Sequence, residues 1–317
     1  MTVPVVLTGA SGFIGSAVLR RLTQHDVHIR VVTRRDLPLP AQAEQVRADL
    51  SRPSTLAGVC SGARVLVHAA SHVGSDERLC TQVNEAGTAA LMREAERAGV
   101  ERIVSLSTTA VYGRGPHRGA AVGELEPDPG SPASRSRLAG EAHALRQGAL
   151  VLRAGLITGA GDRWVVPALA ELVCRVPGLW RGGHALLSLI DVDDLARLVA
   201  AAALTTTGPG GSGEAPRGVH HAVHPEPVRN RDLLDRLARL GVLPPLTREL
   251  TWRECLELME ENPGRIGERR LRLLAFDHHY ATGVWQACGT APGQGPLAAL
   301  DGAAPWYRAH LLRSAAT

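Results

Sequence analysis

The feature that most constrains this chain is a glycine-rich turn close to its start. Val3–Thr8 is a short apolar run, Thr8–Gly15 reads TGASGFIG, and Phe13–Gln24 has the apolar spacing of a helix. A strand, three glycines at this spacing and a helix leave few ways to fold. Gly9 permits a tight turn, Gly12 lets backbone approach a ligand, and Gly15 lets the helix settle close against the strand. The helix start then offers unpaired N–H groups and the positive end of its dipole to an anion such as a pyrophosphate. Gly9, Ser11, Gly12, Phe13, Ile14 and Gly15 are therefore candidate cofactor-binding residues. The competing reading, a purely structural strand–turn–helix, is weakened by the flanking strand and helix, which are the setting a dinucleotide turn requires.

Short apolar strands recur at Val27–Thr33, near Val46–Ala48, at Arg64–Ala69, Arg102–Ser107 and Leu150–Ala154. Helical stretches at Val83–Ala98 and Ser134–Arg146 intervene. Repeated β-α-β units predict an α/β Rossmann fold, a doubly wound parallel sheet with helices on both faces. Beyond it, Asp191–Leu204 reads as a helix capped by Asp191, Thr205–Arg217 as a surface loop, Val219–Val223 as a strand and Asn230–Leu240 as a helix. The rest, through Trp252–Glu261 and Pro305–Arg313, predicts a smaller, mostly helical C-terminal substrate lobe. The expected division is 1–155 for the dinucleotide domain, with 188–224 returning to it, and 156–187 plus 225–317 for the lobe.

At 317 residues with 44% apolar content the chain can bury a substantial core, but aromatics are only 3%, so Ala, Val and Leu must do the packing. The net charge of +4 is spread as Arg along helices, which argues against nucleic acid. No apolar run reaches membrane-spanning length. Five well-separated cysteines without a C-x-x-C pair argue against disulfides or zinc and favour a reducing cytoplasm. His220, His221 and His224, or His278 and His279, lack companion ligands at a metal-site spacing, so no metal is expected.

The second strand ends VVTRR. An acid at this place holds the ribose 2′-hydroxyl of NAD; Arg34 and Arg35 instead favour the 2′-phosphate of NADPH/NADP+. The competing reading is that both arginines are merely solvated.

Further segments resemble the extended short-chain dehydrogenase/reductases, the group of nucleotide-sugar epimerases, dihydroflavonol-type reductases and many natural-product ketoreductases. TGASGFIG resembles their T-G-x-x-G-x-x-G. Asp49 and Leu50 resemble the pair at the adenine, and HAAS, with Ala69 and Ala70, the fourth-strand end that skirts the cofactor. NEAGT (84–88) resembles N-x-x-G-T, and STTAVYG (107–113) the fifth strand that carries the catalytic Ser or Thr, here Thr108. LRAGLITGAGD (152–162), with Leu156, resembles the segment at the nicotinamide carboxamide, and LIDVDDLA (189–196) a later strand–helix signature.

One segment departs. The resemblance implies S-P-Y-x-x-S-K-x-x-x-E, and the chain has SPASRSRLAGE (131–141). Ala133 stands where the family has its catalytic tyrosine, and Arg137 where it has lysine. Loss of one positioned acid/base removes about 10²–10⁴-fold of rate. Arg137 keeps a positive charge and donors directed at the cofactor ribose, but its geometry is not lysine's. Two functions compete. One is an NADPH-dependent ketoreductase acting on a polycyclic aromatic, angucyclinone-like polyketide ketone in antibiotic biosynthesis, where a neighbouring phenol on the substrate holds the reduced oxygen. The other is a catalytically silent NADP(H)-binding regulator or redox sensor. Tyr112 is read as structural, His72 as a loop histidine, and Trp164, Trp180 and Trp252 as core residues first and pocket walls second.

Overall fold

The computed structural model describes residues 4–205 and 215–315. Seven strands form one all-parallel sheet: β1 (Val5–Thr8), β2 (Ile29–Thr33), β3 (Ala43–Arg47), β4 (Val65–His68), β5 (Arg102–Thr108), β6 (Leu150–Ala154) and β7 (Gly218–Ala222). Their order across the sheet is β7-β6-β5-β4-β1-β2-β3. The chain runs from β1 toward one edge and then returns to the other side of β1, so the winding reverses between β1 and β4. The crevice at the carboxyl ends of those two strands is where such a sheet binds its ligand.

Helices cover both faces, and the low aromatic content shows in how they do so. On one face Phe13–Leu22 packs against Val192–Leu204 through Ala17, Val18, Ala196, Val199, Ala200 and Ala203 over Leu7, Val31 and Leu152. On the other, Thr88–Arg97 and Pro132–Arg146 set Leu91, Met92, Ala95 and Ala144 against Val6, Leu66, Ile103 and Val151. Small side chains let the backbones approach closely, so density is reached without large rings. Asp191 caps Val192–Leu204 as expected, accepting from the N–H groups of Asp193 and Asp194.

A third core, around Trp180, Leu169, Leu172, Leu233, Leu237 and Tyr307, belongs to the C-terminal part. Its helices are Val166–Arg175, Asn230–Arg239, Trp252–Glu261, Glu268–Ala275 and Leu300–Ala315. It is not helical throughout: the polar stretch after β5 contains the strand His117–Ala120, which pairs with His278–Tyr280. That pairing joins residues about half the chain apart and leaves no local signature. Most of the Thr205–Arg217 connection lies outside the described residues. Among the described residues no helix is long and apolar enough to cross a membrane.

Candidate functional site

The turn after β1 is built as tightly as its glycines imply. Gly9 has φ = 80°, and a Cβ there would lie 2.6 Å from the Ala70 nitrogen; one on Gly15 would lie 2.1 Å from the Gly9 carbonyl oxygen. Both contacts are with backbone, so neither can yield to a side chain. Helix Phe13–Leu22 opens at Gly12 with no side-chain cap and no acid in its first turn, leaving its first N–H groups for a ligand. In front of it lies a groove of about 200 Å³ lined by Gly9, Ser11, Gly12, Arg34, Asp49, Leu50, Ala69, Ala70 and His72. Arg35 is not among its lining residues. The Phe13 and Ile14 side chains pack on the apolar core, with Gly161 against the Phe13 ring, so what these two residues offer a ligand is their backbone N–H groups at the helix start. Asp49 engages one carboxylate oxygen with the Ser51 N–H at 2.9 Å and hydroxyl at 2.8 Å, which orients it at the groove wall.

NEAGT supports this groove from behind. Asn84 accepts from the His72 N–H at 2.7 Å and donates to the His72 carbonyl at 2.9 Å and to Ser136 Oγ at 3.0 Å. A Cβ on Gly87 would fall 2.6 Å from the Leu50 carbonyl oxygen. Thr88 Oγ1 bonds His68 Nε2 at 3.0 Å, and His68 Nδ1 bonds Thr8 Oγ1 at 2.8 Å. Thr81–Gly87 forms a widened π-type turn, so the single helix expected over Val83–Ala98 is regular only from Thr88 to Arg97. Burial, together with nearby Arg137, pushes the His68 pKa down to about 4, so this imidazole is a neutral tether at pH 7.

Next to the groove, a second cavity of about 220 Å³ brings Thr108, Ala133, Arg137 and Leu156 together. Thr108 ends β5, and its Oγ1 accepts from the Ala110 N–H at 3.2 Å. Ala133 lies in the first turn of Pro132–Arg146, whose start is fixed by a capping box between Ser131 and Ser134. Val73, Trp164, Ala168, Leu273 and Leu274 supply apolar wall, and Arg270 is a further charged lining residue. Trp164 is 49% exposed, whereas Trp180 is fully buried in the C-terminal core. Arg137 also reaches a small recess beside His68, Asn84, Thr88 and Glu141. Its Nε is buried without a hydrogen-bond partner. Burial pulls its pKa down to about 10 against the attraction of Glu141.

No phenol replaces the one missing at 133. The chain has three tyrosines. Tyr112 meets Arg153 at 2.8 Å and His221 at 2.7 Å; Tyr280 bonds His117 at 2.9 Å; Tyr307 bonds Asp162 at 3.1 Å. None lines the cavity, and His72 lines the groove instead. The titratable side chains around the cavity are Arg137 and Arg270. Both are ordinarily charged at neutral pH and poor proton donors.

Beneath Thr108 runs a buried polar chain that sequence reasoning missed. Ser107 donates to Glu141, Arg153 holds Glu141 with contacts of 2.7–3.1 Å, and Tyr112 links Arg153 to His221, which bonds the Ala281 carbonyl at 2.9 Å. A charged residue inside the apolar strand LVLRA was the available signal. Asp162, fully buried, was missed too: it accepts from the N–H groups of Trp164, Val165 and Val166, fixing the start of the helix behind the cavity.

Residues 5–212 match the NAD dependent epimerase/dehydratase family. Over 181 residues the chain is 31% identical to a ceramide reductase of Caulobacter vibrioides, covering 55% of this chain and 52% of that protein. Over 180 residues it is 27% identical to a 2-alkyl-3-oxoalkanoate reductase of Stenotrophomonas maltophilia, covering 53% and 54%. The chain thus spans about half the length of the curated relatives it matches. Its fold superposes on a short-chain dehydrogenase/reductase superfamily protein from Agrobacterium tumefaciens with bound NAD, at TM-score 0.73 and 19% identity over 99% of this chain and 100% of the other. The glycine turn, the reversal of winding at β1 and the match over residues 5–212, well over half of the sequence, agree: this chain belongs to the NAD dependent epimerase/dehydratase family, the extended short-chain dehydrogenase/reductases.

Proposed function

We propose that the protein is an NADPH-dependent ketoreductase whose substrate is a polycyclic aromatic, angucyclinone-like ketone, in the tailoring of aromatic polyketide antibiotics. The observation that carries this reading is the cavity itself: Thr108, Arg137 and an apolar wall converge beside the cofactor groove, with alanine in place of the family's phenol. The groove fits a dinucleotide. A Cβ would fill the cradle at Gly9 and Gly15, and the buried Nε of Arg137 lacks a hydrogen-bond partner among the described residues. Gly9, Ser11, Gly12 and the first turn of helix Phe13–Leu22 would hold the pyrophosphate, Asp49 and Leu50 the adenine, and Ala69 and Ala70 the adjoining ribose. Arg34, at the groove wall, would pair with a 2′-phosphate.

A reduced nicotinamide bound there supplies the two electrons and one hydrogen that a carbonyl carbon accepts. Thr108 donates one hydrogen bond to the carbonyl oxygen, and Arg137 stabilises the negative charge that develops on it. A phenol peri to the ketone holds that oxygen before and after reduction, and water returns the proton. Orientation then replaces the absent acid. The missing phenol also favours a second reading, a silent cofactor-binding regulator.

The test compares NADPH consumption with 8-hydroxy-1-tetralone and with 1-tetralone. The hydroxy ketone is expected to react at least about tenfold faster, the worth of one good hydrogen bond; equal rates overturn the proposed chemistry. Thr108→Ala is expected to slow reduction by about 2- to 12-fold. No turnover on either ketone or on larger hydroxyquinones, with NADPH still bound, supports the regulator.

A further inference from the structure

A third cavity, about 540 Å³, adjoins the reaction cavity and shares Ala110, Ser131, Arg270 and Leu273 with it. Its other lining residues include Arg114, Arg269 and Arg272, with Glu268 the one acid among them. Four arginines thus line one space. Arg272 is occupied by stacking over Phe276, 4.5 Å from the ring centroid. The side chain of Arg270, half-buried between the two cavities, donates to the Trp164 carbonyl at 3.3 Å and to no other described residue. The side chains of Arg114 and Arg269, on the exposed rim, make no hydrogen bond or ion pair with the described residues.

The rim is built rather than incidental. Asp128 N–H bonds the Val111 carbonyl at 2.9 Å, and a Cβ on Gly113 would fall 2.2 Å from the Asp128 carbonyl, so the loop before Ser131 is held against the end of β5. On that loop, a Cβ at Gly130 would lie 3.0 Å from Arg269 Cζ and 3.1 Å from both Nη atoms. Near-equal distances mean that Gly130 meets the face of the guanidinium, leaving its donor edges free. Burial and the like charges of Arg114, Arg270 and Arg135 lower the Arg269 pKa, with Asp128 opposing, so an added anion relieves repulsion already present.

We propose that the substrate carries a carboxylate, remote from the reacting ketone, which Arg114, Arg269 and Arg270 hold in this cavity. The inference rests on the ketoreductase reading and gives its substrate class: an aromatic keto acid. Paired guanidinium donors match the two oxygens of a carboxylate. Glu268 on the wall and Asp128 beside Arg269 offset part of the arginines' positive charge, which lessens the advantage that a diphosphate's larger charge would have over a carboxylate's.

The experiment measures equilibrium binding to the full chain loaded with NADP+. The probes are an 8-hydroxy-1-tetralone bearing a carboxylate on its saturated ring, the methyl ester of that acid, and inorganic pyrophosphate. The acid is expected to bind about tenfold tighter than the ester at low salt, with the difference shrinking as salt rises. The double variant R114A/R269A is expected to lose most of that preference while binding the ester as the parent does. Equal binding of acid and ester, a preference that survives in the double variant, or pyrophosphate displacing the acid at lower concentration overturns the proposal. Turnover of the ester is scored separately. Ester reduced without preference for the acid removes this inference and keeps the ketoreductase; acid bound selectively with neither compound reduced removes the ketoreductase and keeps the anion site.

Discussion

Arg153 and Glu141 make up a buried ion pair beneath Thr108, their side chains 8% and 3% exposed. Replacing Arg153 by Met preserves an apolar stem of similar reach but removes every contact to Glu141 and the 2.8 Å bond to the Tyr112 hydroxyl. Glu141 then keeps Ser107 as its side-chain donor. Summing hydrogen bonds would overshoot, because a buried pair gains little over apolar groups of its own size. What the single variant suffers is a stranded carboxylate, about 3–5 kcal/mol. At about 2–4 °C per kcal/mol for a chain of this class, that is on the order of 10 °C in Tm. Equilibrium urea unfolding of the parent, R153M, E141M and E141M/R153M closes the cycle. The double variant, with neither charge left alone, is expected within about 2 kcal/mol of the parent, giving a coupling of about 3 kcal/mol or more. R153M losing less than about 1 kcal/mol, or two losses that simply add, would refute the reasoning, since either means that water reaches Glu141.

Two further outcomes are expected. Arg34→Ala should weaken NADPH about tenfold, the low end for a charged hydrogen bond because Arg34 is solvent-exposed, and leave NADH within about twofold; equal weakening of both, measured by titration calorimetry, would remove the preference for the phosphorylated cofactor. His68 is held neutral down to about pH 4, whereas an unfolded histidine takes its proton near about 6.5. The unfolded chain therefore binds more protons between those values, so stability is unaffected above that window and falls through it by up to on the order of 3 kcal/mol. His117, its pKa lowered to about 4 by burial and by His278, acts in the same direction. In urea unfolding at stepped pH, H68Q should fall less steeply than the parent; identical slopes would show that His68 is not enclosed.

The fold was legible because its commitments are local. The glycines after β1, the apolar strands and the Asp191 cap each act within a few residues, and each predicts its element to within a few positions. Departures occur where a distant partner decides. His117–Ala120 becomes a strand only by pairing with His278–Tyr280, and Thr81–Gly87 opens where Asn84 bonds His72 and Ser136. Of the residues singled out in the sequence, Gly9, Ser11, Gly12, Arg34, Asp49, Leu50, Ala69 and Ala70 line one groove because the turns that carry them end at the same edge of the sheet, whereas the Phe13 and Ile14 side chains pack on the core. The arginine cavity was illegible, because Arg114 and Arg269 lie 155 positions apart and meet only through the packing of the C-terminal helices.

The paired serines at the head of helix Pro132–Arg146 carry one more implication. Ser131 and Ser134 satisfy each other's backbone, so the helix begins where it does whatever side chain stands between them. Position 133 contributes a group to the cavity without contributing to the architecture. Chemistry at that point can be exchanged, phenol for methyl or the reverse, on an unchanged scaffold, and a tyrosine grafted there would report what a proton donor at position 133 adds to whatever turnover the parent shows.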